Sequence, residues 1–189
     1  GLYYPTGSLR ASLCVRGRQL LYAFCGSHQV QHRRCGKLVV ACTDEELPRL
    51  QAVQAQALAN GVTDLQCLGQ AEAQALEPAL ACRAALLSPS TGIIDSHGYM
   101  ATLLGDAEAA GAMLALKSPF EGAVRDGNRW VFRTGGDEAF EMAARFIVNS
   151  AGLGTHKVAA SIEGFPAQAI PRQHLAKGHY FALAGRAPF

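Results

Sequence analysis

The spacing of apolar side chains predicts helices in the first part of the chain. Between residues 8 and 29, apolar positions recur near helical spacing while arginines lie on the other faces. Ser8 is a suitable N-cap for this long amphipathic helix, and Asp95 or Ser96 suits the start of a later one. The apolar positions of the first helix are Leu9, Leu13, Leu20, Leu21 and Phe24. The predicted helices cover residues 8–29, 44–60, 70–76 and 97–111.

Short apolar and β-branched runs between the helices predict strands. Asp126-Gly-Asn128 lies between two alternating runs and predicts a hairpin. The order of elements is α/β early, then a hairpin, then one strand of parallel type, which indicates two interleaved domains. The predicted strands are residues 36–41, 65–68, 84–88, 112–116, 120–125, 129–134, 146–148 and 177–183, and residues 140–144 lead into the strand at 146–148.

The segment from Phe146 to Ala160 has the pattern of a strand, a tight turn and a helix. Phe146 to Val148 is an apolar run typical of a strand that is covered on both faces. Gly152 and Gly154 permit a tight turn, and a helix is predicted from Leu153. Such a turn presents free backbone N–H groups, which suit a phosphate, and a glycine lets a flat ligand approach the main chain. For this pattern alone, an ordinary strand-to-helix turn is the alternative.

Composition limits the classes of protein to consider. The chain has 189 residues, 49% of them hydrophobic and 17% charged, with a formal net charge of +2. These values are typical of a globular protein with one domain, or one and part of another. The charges form no basic stripe, so we expect no nucleic-acid partner. No apolar run approaches the roughly 20 residues of a membrane-spanning helix. We expect a cytoplasmic protein, with peripheral association with the inner membrane as the alternative.

Cysteine spacing and the chain ends add two expectations. None of the six cysteines forms a CxxC pair, so we expect no metal site and reduced thiols. Cys14, Cys25 and Cys42 lie in apolar runs and are predicted to be buried. Because Gly1 is not an initiator methionine and the chain stops after a strand-like run, we interpret the sequence as an internal fragment.

Five short segments occur in the order found in one family. They are Gly1-Leu-Tyr-Tyr-Pro5, Cys35-Gly-Lys-Leu38, Ser90-Thr-Gly-Ile-Ile-Asp95, Asn149-Ser-Ala-Gly152 and Lys177-Gly-His-Tyr-Phe181. With these segments the sequence resembles FAD-dependent oxidoreductases of the D-amino-acid-oxidase and glycine-oxidase superfamily. The branch it resembles most is that of the L-2-hydroxyglutarate dehydrogenases and oxidases.

The resemblance implies a mixed α/β fold in which an FAD-binding domain is interleaved with an antiparallel-sheet substrate domain. Residues 1–110 would be mainly substrate domain with helices, and residues 111–160 later strands of the FAD domain, including the hairpin. Residues 161–189 would return to the substrate-domain sheet. The family's N-terminal dinucleotide-binding unit, with its GxGxxG loop, has no counterpart in this sequence.

The resemblance also implies FAD as cofactor and a set of residues that bind it. The first three residues match the segment beside the flavin ring, and Phe120 matches a strand end that meets the adenine. The turn residues match those near the pyrophosphate and ribityl chain. The implied cofactor-binding residues are Gly1, Leu2, Tyr3, Phe120, Ser150, Ala151, Gly152 and Leu153. Gly154 stands where the family more often has an aromatic residue, and Lys177 where it usually has arginine, which leaves the substrate open.

Five residues are candidates for binding a substrate carboxylate. The hydroxyls of Tyr3 and Tyr4 precede a proline and can point into a pocket, with packing on the next helix as the alternative. Lys177 and His179 share one face of the predicted last strand, next to Tyr180, with a solvated sheet face as the alternative.

Two further residues have ordinary structural interpretations. His97 can act as a base, but a histidine at a helix start is more often just partly exposed. We interpret Lys37 as an edge or snorkelling lysine rather than a ligand. The sequence therefore assigns no catalytic residue.

These features predict an FAD-dependent dehydrogenase or oxidase of a small 2-hydroxy acid such as L-2-hydroxyglutarate, by hydride transfer to flavin. The partner is a small carboxylate substrate, and the electron acceptor is not assigned. One alternative is an amino-acid oxidase of the glycine-oxidase type. The other is a non-catalytic α/β binding domain.

Overall fold

The computed structural model describes residues 1–180 and 184–185. Within them the chain divides into two compact units, Gly1–Ala112 and residues 113–180. The predicted division into substrate-domain and FAD-domain segments stays a prediction. Each unit mixes helices with antiparallel sheet, in agreement with the predicted α/β class.

The first unit is built on a three-stranded antiparallel sheet. The chain enters through α1 (Leu9–Ser27), and the sheet has the order β2 (Leu38–Ala41), β4 (Ala84–Leu87), β3 (Gln66–Gly69). Leu38 is paired with Leu87, and Gln66 is paired with the same Leu87 from the other side. A two-stranded ladder joins β1 (His32–Arg33) to β5 (Ile93–Ile94).

Helices cover this sheet with small and aliphatic side chains. Buried Ala41, Leu50 and Leu86 form one apolar cluster below α2 (Leu47–Ala59), and Ala73, Cys82 and Ala85 form another beside α3 (Gln70–Leu76). The last helix of the unit is α4 (Ser96–Ala109), whose first turn is capped by the Asp95 carboxylate. This carboxylate accepts hydrogen bonds from the N–H groups of His97 and Gly98 at 3.1 and 3.0 Å.

Helix α1 has the predicted N-cap but a different buried face. The Ser8 hydroxyl accepts a hydrogen bond from the N–H of Ala11 at 3.2 Å, as an N-cap does. The buried residues of α1 are Ala11 and Cys25, whereas Leu9, Leu13 and Leu20 are exposed. The helix therefore packs in this chain through small side chains. Cys25 is buried as predicted, but Cys14 and Cys42 are exposed, and all six cysteines are free.

The second unit contains the predicted hairpin within a three-stranded antiparallel sheet. Its strands are β6 (Phe120–Asp126), β7 (Arg129–Thr134) and β8 (Glu141–Ala144), in that order. Gly127, at φ 53°, forms the turn between the first two. After β8 come a 3₁₀ turn (Gly152–Gly154), α5 (Thr155–Ala160) and a second 3₁₀ turn (Ala167–Ala169).

Three predicted strands are wrong in the residues that the structure describes. Residues 112–116 form no strand, and neither does the apolar run Phe146 to Val148, where the phenylalanine and the valine are 81% and 85% exposed. A strand requires a hydrogen-bonded neighbour, and none of the described strands pairs with this run. Lys177 to Tyr180 is also irregular, and residues 181–183 of that prediction lie outside the described residues. Phe146 to Val148 was the predicted strand of parallel type, and the described sheets of both units are antiparallel.

Candidate functional site

The first unit contains a cavity of about 300 Å³ that we call the Tyr3 cavity. The side chain of Asn60, at the end of α2, fixes the segment that forms its mouth. Its amide nitrogen donates hydrogen bonds to the carbonyl oxygens of Gly1 and Tyr4 at 2.8 and 2.9 Å. The wall of the cavity includes Gly1, Leu2, Tyr3, Tyr4, Arg18 and Lys37.

Two cations lie in the wall of the Tyr3 cavity. The Lys37 ammonium lies 4.7 Å from the centre of the Tyr3 ring, within the range of a cation–π interaction. The Arg18 guanidinium lies 3.5 Å from a carboxylate oxygen of Asp64 and also contacts the hydroxyl of Ser90. Hydrogen bonding from Ser90, together with the charge of Arg18, lowers the pKa of Asp64 from its ordinary value, and partial burial opposes this shift. Asp64 is therefore ionised at neutral pH and balances Arg18.

The second unit contains a cavity of about 570 Å³ beside the turn at Gly152, which we call the turn cavity. Hydrogen bonds of Asn149 fix this turn. Its amide nitrogen donates to the carbonyl oxygen of Thr155 at 2.9 Å, and its side-chain oxygen accepts from the N–H of Ala151 at 3.3 Å. Gly152 has φ 55°, and a Cβ atom built on it would meet nothing within 4 Å. The main chain is therefore open to a ligand at this point.

His156 contributes unpaired polar atoms to the turn cavity. Both ring nitrogens are inaccessible to solvent, and neither has a hydrogen-bond partner among the described residues. A buried polar atom without a partner costs about 1–3 kcal/mol, so such atoms in native proteins usually mark a missing partner. The other residues around the cavity are mainly apolar, among them Ile147, Leu153, Ile162 and Phe165.

The structure groups part of the predicted site and separates the rest. Gly1, Leu2, Tyr3 and Tyr4 lie together in the Tyr3 cavity, and Gly152 and Leu153 lie in the turn cavity. Ser150 and Ala151 are exposed residues next to the turn. Phe120 packs in the sheet, with its ring 6.2 Å from that of Phe132.

The predicted substrate residues near the end of the described chain are not brought to either cavity. Lys177, His179 and Tyr180 are exposed, and the tyrosine is 99% accessible. No strand forms at residues 177–180, so the shared face of Lys177 and His179 stays a prediction. His97 is exposed in the first turn of α4.

Sequence reasoning missed Arg18 and His156 and set Lys37 aside. Arg18 is one of several arginines on the predicted first helix, and nothing in the sequence distinguishes it from the others. For Lys37 the signal was a charge after a glycine at the start of an apolar strand. Neither signal shows which distant residues share a cavity. Among residues 1–180 and 184–185, no group of three or more His, Cys, Asp or Glu side chains is arranged to hold a metal ion.

Comparison with protein families assigns the chain to one of them. Residues 1–188 match the family described as DAO, FAD dependent oxidoreductase. The chain belongs to this family. The predicted family and its cofactor, FAD, are thereby confirmed at the level of the family.

Two similar curated proteins carry the same name. The chain is 33% identical to "L-2-hydroxyglutarate dehydrogenase, mitochondrial" of Arabidopsis thaliana, over 98% of this chain and 44% of the relative. It is 32% identical to the protein of that name from Homo sapiens, over 84% of this chain and 36% of the relative. The chain thus spans less than half the length of these relatives.

Solved structures of three other enzymes have a similar fold. Glycine oxidase from Geobacillus kaustophilus matches with a TM-score of 0.70 and 24% identity, over 84% of this chain and 44% of that one. L-Proline dehydrogenase from P. horikoshii matches with a TM-score of 0.72 and 18% identity, over 85% and 42%. L-α-Glycerophosphate oxidase from Mycoplasma pneumoniae, solved with FAD bound, matches with a TM-score of 0.72 and 17% identity, over 79% and 41%. At these identities the likeness confirms the fold.

Proposed function

We propose that the protein is an FAD-dependent oxidoreductase that oxidises a small 2-hydroxy acid, with L-2-hydroxyglutarate as the leading substrate. The observation that carries this proposal is the similarity to L-2-hydroxyglutarate dehydrogenase along 98% of the chain at 33% identity. The activity belongs to the whole protein, since the chain covers 44% of that relative.

The turn cavity supports FAD as the cofactor. At the turn the main chain is open above Gly152, and none of the described residues accepts a hydrogen bond from the N–H of Gly152 or Leu153. Free backbone N–H groups bind phosphate oxygens, and a glycine permits close approach. His156, whose buried ring nitrogens have no partner among the described residues, lies in the wall of the same cavity. Gly152, Leu153 and the neighbouring Ser150 and Ala151 would hold the cofactor here.

The Tyr3 cavity supports a small anionic substrate. Tyr3 and Tyr4 contribute hydroxyl groups, and Arg18 and Lys37 contribute positive charge. A pocket of about 300 Å³ lies at the small end of the range for small-molecule sites. Gly1, Leu2 and Tyr3 remain proposed flavin neighbours, and Phe120 a proposed adenine neighbour.

Lys177, His179 and Tyr180 remain proposed substrate residues on the basis of the resemblance alone. For Lys177→Ala in the full-length protein we expect a higher KM for the substrate and an unchanged ratio of FAD to protein. The reason is that this lysine would bind the substrate carboxylate and not the cofactor. Steady-state kinetics and the absorption spectrum measure the two quantities, and equal kinetics in variant and parent would remove Lys177 from the site.

The proposed reaction separates a hydride from a proton. FAD would supply the hydride acceptor when bound. Oxidation of the hydroxy acid to a 2-oxo acid removes a hydride from C2 and a proton from the hydroxyl group, and that proton passes to a base or to solvent. The residues of this chain would bind the carboxylate and hold C2 in position, since most of the catalytic benefit of such a site comes from orientation.

An anaerobic titration of the full-length protein tests the proposed function. We expect the purified protein to be yellow, and L-2-hydroxyglutarate to bleach its flavin absorption while glycine does not. Bleaching by glycine alone would support an amino-acid oxidase instead. A colourless full-length protein that no added FAD turns yellow would support the non-catalytic binding domain.

The location of the protein remains a prediction. In the described residues no helix has the length and apolar character needed to cross a membrane. The name of the Arabidopsis thaliana relative includes the word mitochondrial. We propose a cytoplasmic protein for this chain, to be tested by cell fractionation, where recovery in mitochondria would contradict the proposal.

A further inference from the structure

The Tyr3 cavity has positive charge that its own wall does not balance. Lys37 and Arg18 line it, and no Asp or Glu does. Arg18 is paired with Asp64, which leaves the charge of Lys37. In the described part of the chain, the ion pairs are Arg18–Asp64, His28–Asp106 and Arg83–Asp44, and none includes Lys37. The cavity therefore has one positive charge in excess.

Main-chain hydrogen bonds fix the position from which the Lys37 side chain extends. Its N–H donates to the carbonyl oxygen of Ser88 at 3.2 Å, and its own carbonyl accepts from the N–H of Ser88 at 2.8 Å. Gly36 precedes it at φ 73° and donates to the carbonyl oxygen of Thr91 at 2.9 Å. The main chain of Lys37 is thus held at the start of the β2–β4 ladder. Its half-buried side chain extends from there to the Tyr3 ring.

Hydroxyl groups lie beside the two cations. The Ser88 side chain is buried, and its hydroxyl is 2.9 Å from that of Thr91, which also lines the cavity. In such a pair one hydroxyl donates to the other, whose own hydrogen remains available to a further acceptor. Tyr3 and Tyr4 add two more hydroxyls to the wall. A group that accepts several hydrogen bonds and carries negative charge meets these requirements.

We propose that Lys37, with Arg18 beside it, binds a carboxylate group of the substrate in the Tyr3 cavity. The one excess positive charge matches one carboxylate group of the substrate. A lysine paired with an anion by a charge-assisted hydrogen bond contributes more than a neutral bond does. The inference rests on the proposed function for the identity of the substrate only. The cation and the hydroxyls would select a carboxylate in any case.

Calorimetric binding of glutarate to the full-length protein tests this inference without turnover. We expect the parent protein to bind glutarate and Lys37→Met to bind it at least about tenfold more weakly, because the variant keeps the length of the side chain but loses the charge. Lys37→Arg should retain most of the affinity, since the cation remains. The visible spectrum of each variant gives its ratio of FAD to protein, and the affinities for glutarate are compared between proteins with equal FAD content.

Arg34→Met is a matched control. The Arg34 guanidinium lies 4.2 Å from the centre of the Tyr22 ring, so this variant also removes a cation from a tyrosine of the same unit, but outside the Tyr3 cavity. We expect its affinity for glutarate to equal that of the parent. Equal affinity of Lys37→Met and the parent would overturn the inference, as would a parent protein that binds phosphate but no glutarate.

The proposed function can fail separately. If L-2-hydroxyglutarate leaves the flavin oxidised while glutarate binding still depends on Lys37, the carboxylate site at Lys37 is supported. In that case the proposed substrate is contradicted. If L-2-hydroxyglutarate reduces the flavin and its KM is the same in Lys37→Met as in the parent, the function stands and the carboxylate site is wrong.

Discussion

The two cavities are built in opposite ways. The Tyr3 cavity draws its wall from segments far apart in sequence, such as Tyr3, Arg18, Lys37 and Ser88, and it contains charge. The turn cavity is built from one stretch between residues 147 and 175, and its wall is mainly apolar but includes Arg172. The shape of the Tyr3 cavity therefore depends on the packing of the whole first unit, whereas the shape of the turn cavity depends on local turns.

The first unit also has the larger apolar core. The three apolar clusters of buried residues all lie in the first unit. In the described part of the second unit the buried residues include Ala123 and Ala159, which are small, and large side chains such as Phe146 are exposed. We therefore expect substitutions in the first unit to act on stability and those beside the turn cavity to act on ligand binding.

Leu86→Ala and Leu153→Ala give the largest contrast. Leu86 is 2% exposed, and its truncation should lower the free energy of unfolding by about 2–5 kcal/mol through lost burial and a cavity. Leu153 lines the turn cavity and is 78% exposed, so its truncation should change that free energy by less than about 0.5 kcal/mol and weaken FAD binding instead. Denaturant unfolding and FAD titration of both variants measure this, and similar losses of stability would remove the contrast.

His156→Leu tests whether the turn cavity is made for a ligand. In FAD-free protein we expect the variant to raise the free energy of unfolding by about 1 kcal/mol, because it removes buried polar atoms that lack partners. In the presence of FAD we expect weaker cofactor binding. Thermal unfolding with and without FAD measures both, and a variant that is less stable without FAD would show that His156 is already paired within the protein.

Asp64→Asn, beside the Tyr3 cavity, is expected to lower the free energy of unfolding only slightly. The pKa of Asp64 is lowered from 3.8, first by the Ser90 hydroxyl and then by Arg18, so its ionised form favours the folded state. That contribution is present above pH 3.8 and is lost as the pH falls through the lowered folded-state pKa. We expect the variant to be less stable than the parent by up to about 1 kcal/mol at pH 7, and the difference to vanish in acid. Unfolding curves across this pH range measure it, and a difference independent of pH would contradict the assignment.

Local signals in the sequence predicted local structure well. Helix caps at Ser8 and Asp95, the hairpin at Gly127 and the glycine turn at Gly152 were all found, because each depends on a few neighbouring residues. The apolar run Phe146 to Val148 was wrong as a strand, since a strand also needs a neighbour that the pattern does not specify.

Features that depend on tertiary packing were not predicted. Cys14, Cys42 and most leucines of α1 lie among apolar residues in the sequence but are exposed in the structure. Lys37 and Arg18 meet in one cavity although they lie on different elements. From the candidate site, the sequence therefore pointed to the residues of the turn. In the first unit it pointed to Tyr3 and Tyr4 but not to Arg18.

The ratio of FAD to protein in Gly152→Val and Gly127→Val tests the central claim most directly. Both glycines have a φ close to 55° and open space where a Cβ would be added, and both lie in the second unit, but only Gly152 lines the turn cavity. The backbone strain of a valine, about 1–2 kcal/mol, is therefore matched. If FAD binds at this turn, Gly127→Val should keep the parent's ratio and Gly152→Val should lose most of the cofactor. Equal FAD content in the two full-length variants would contradict the account.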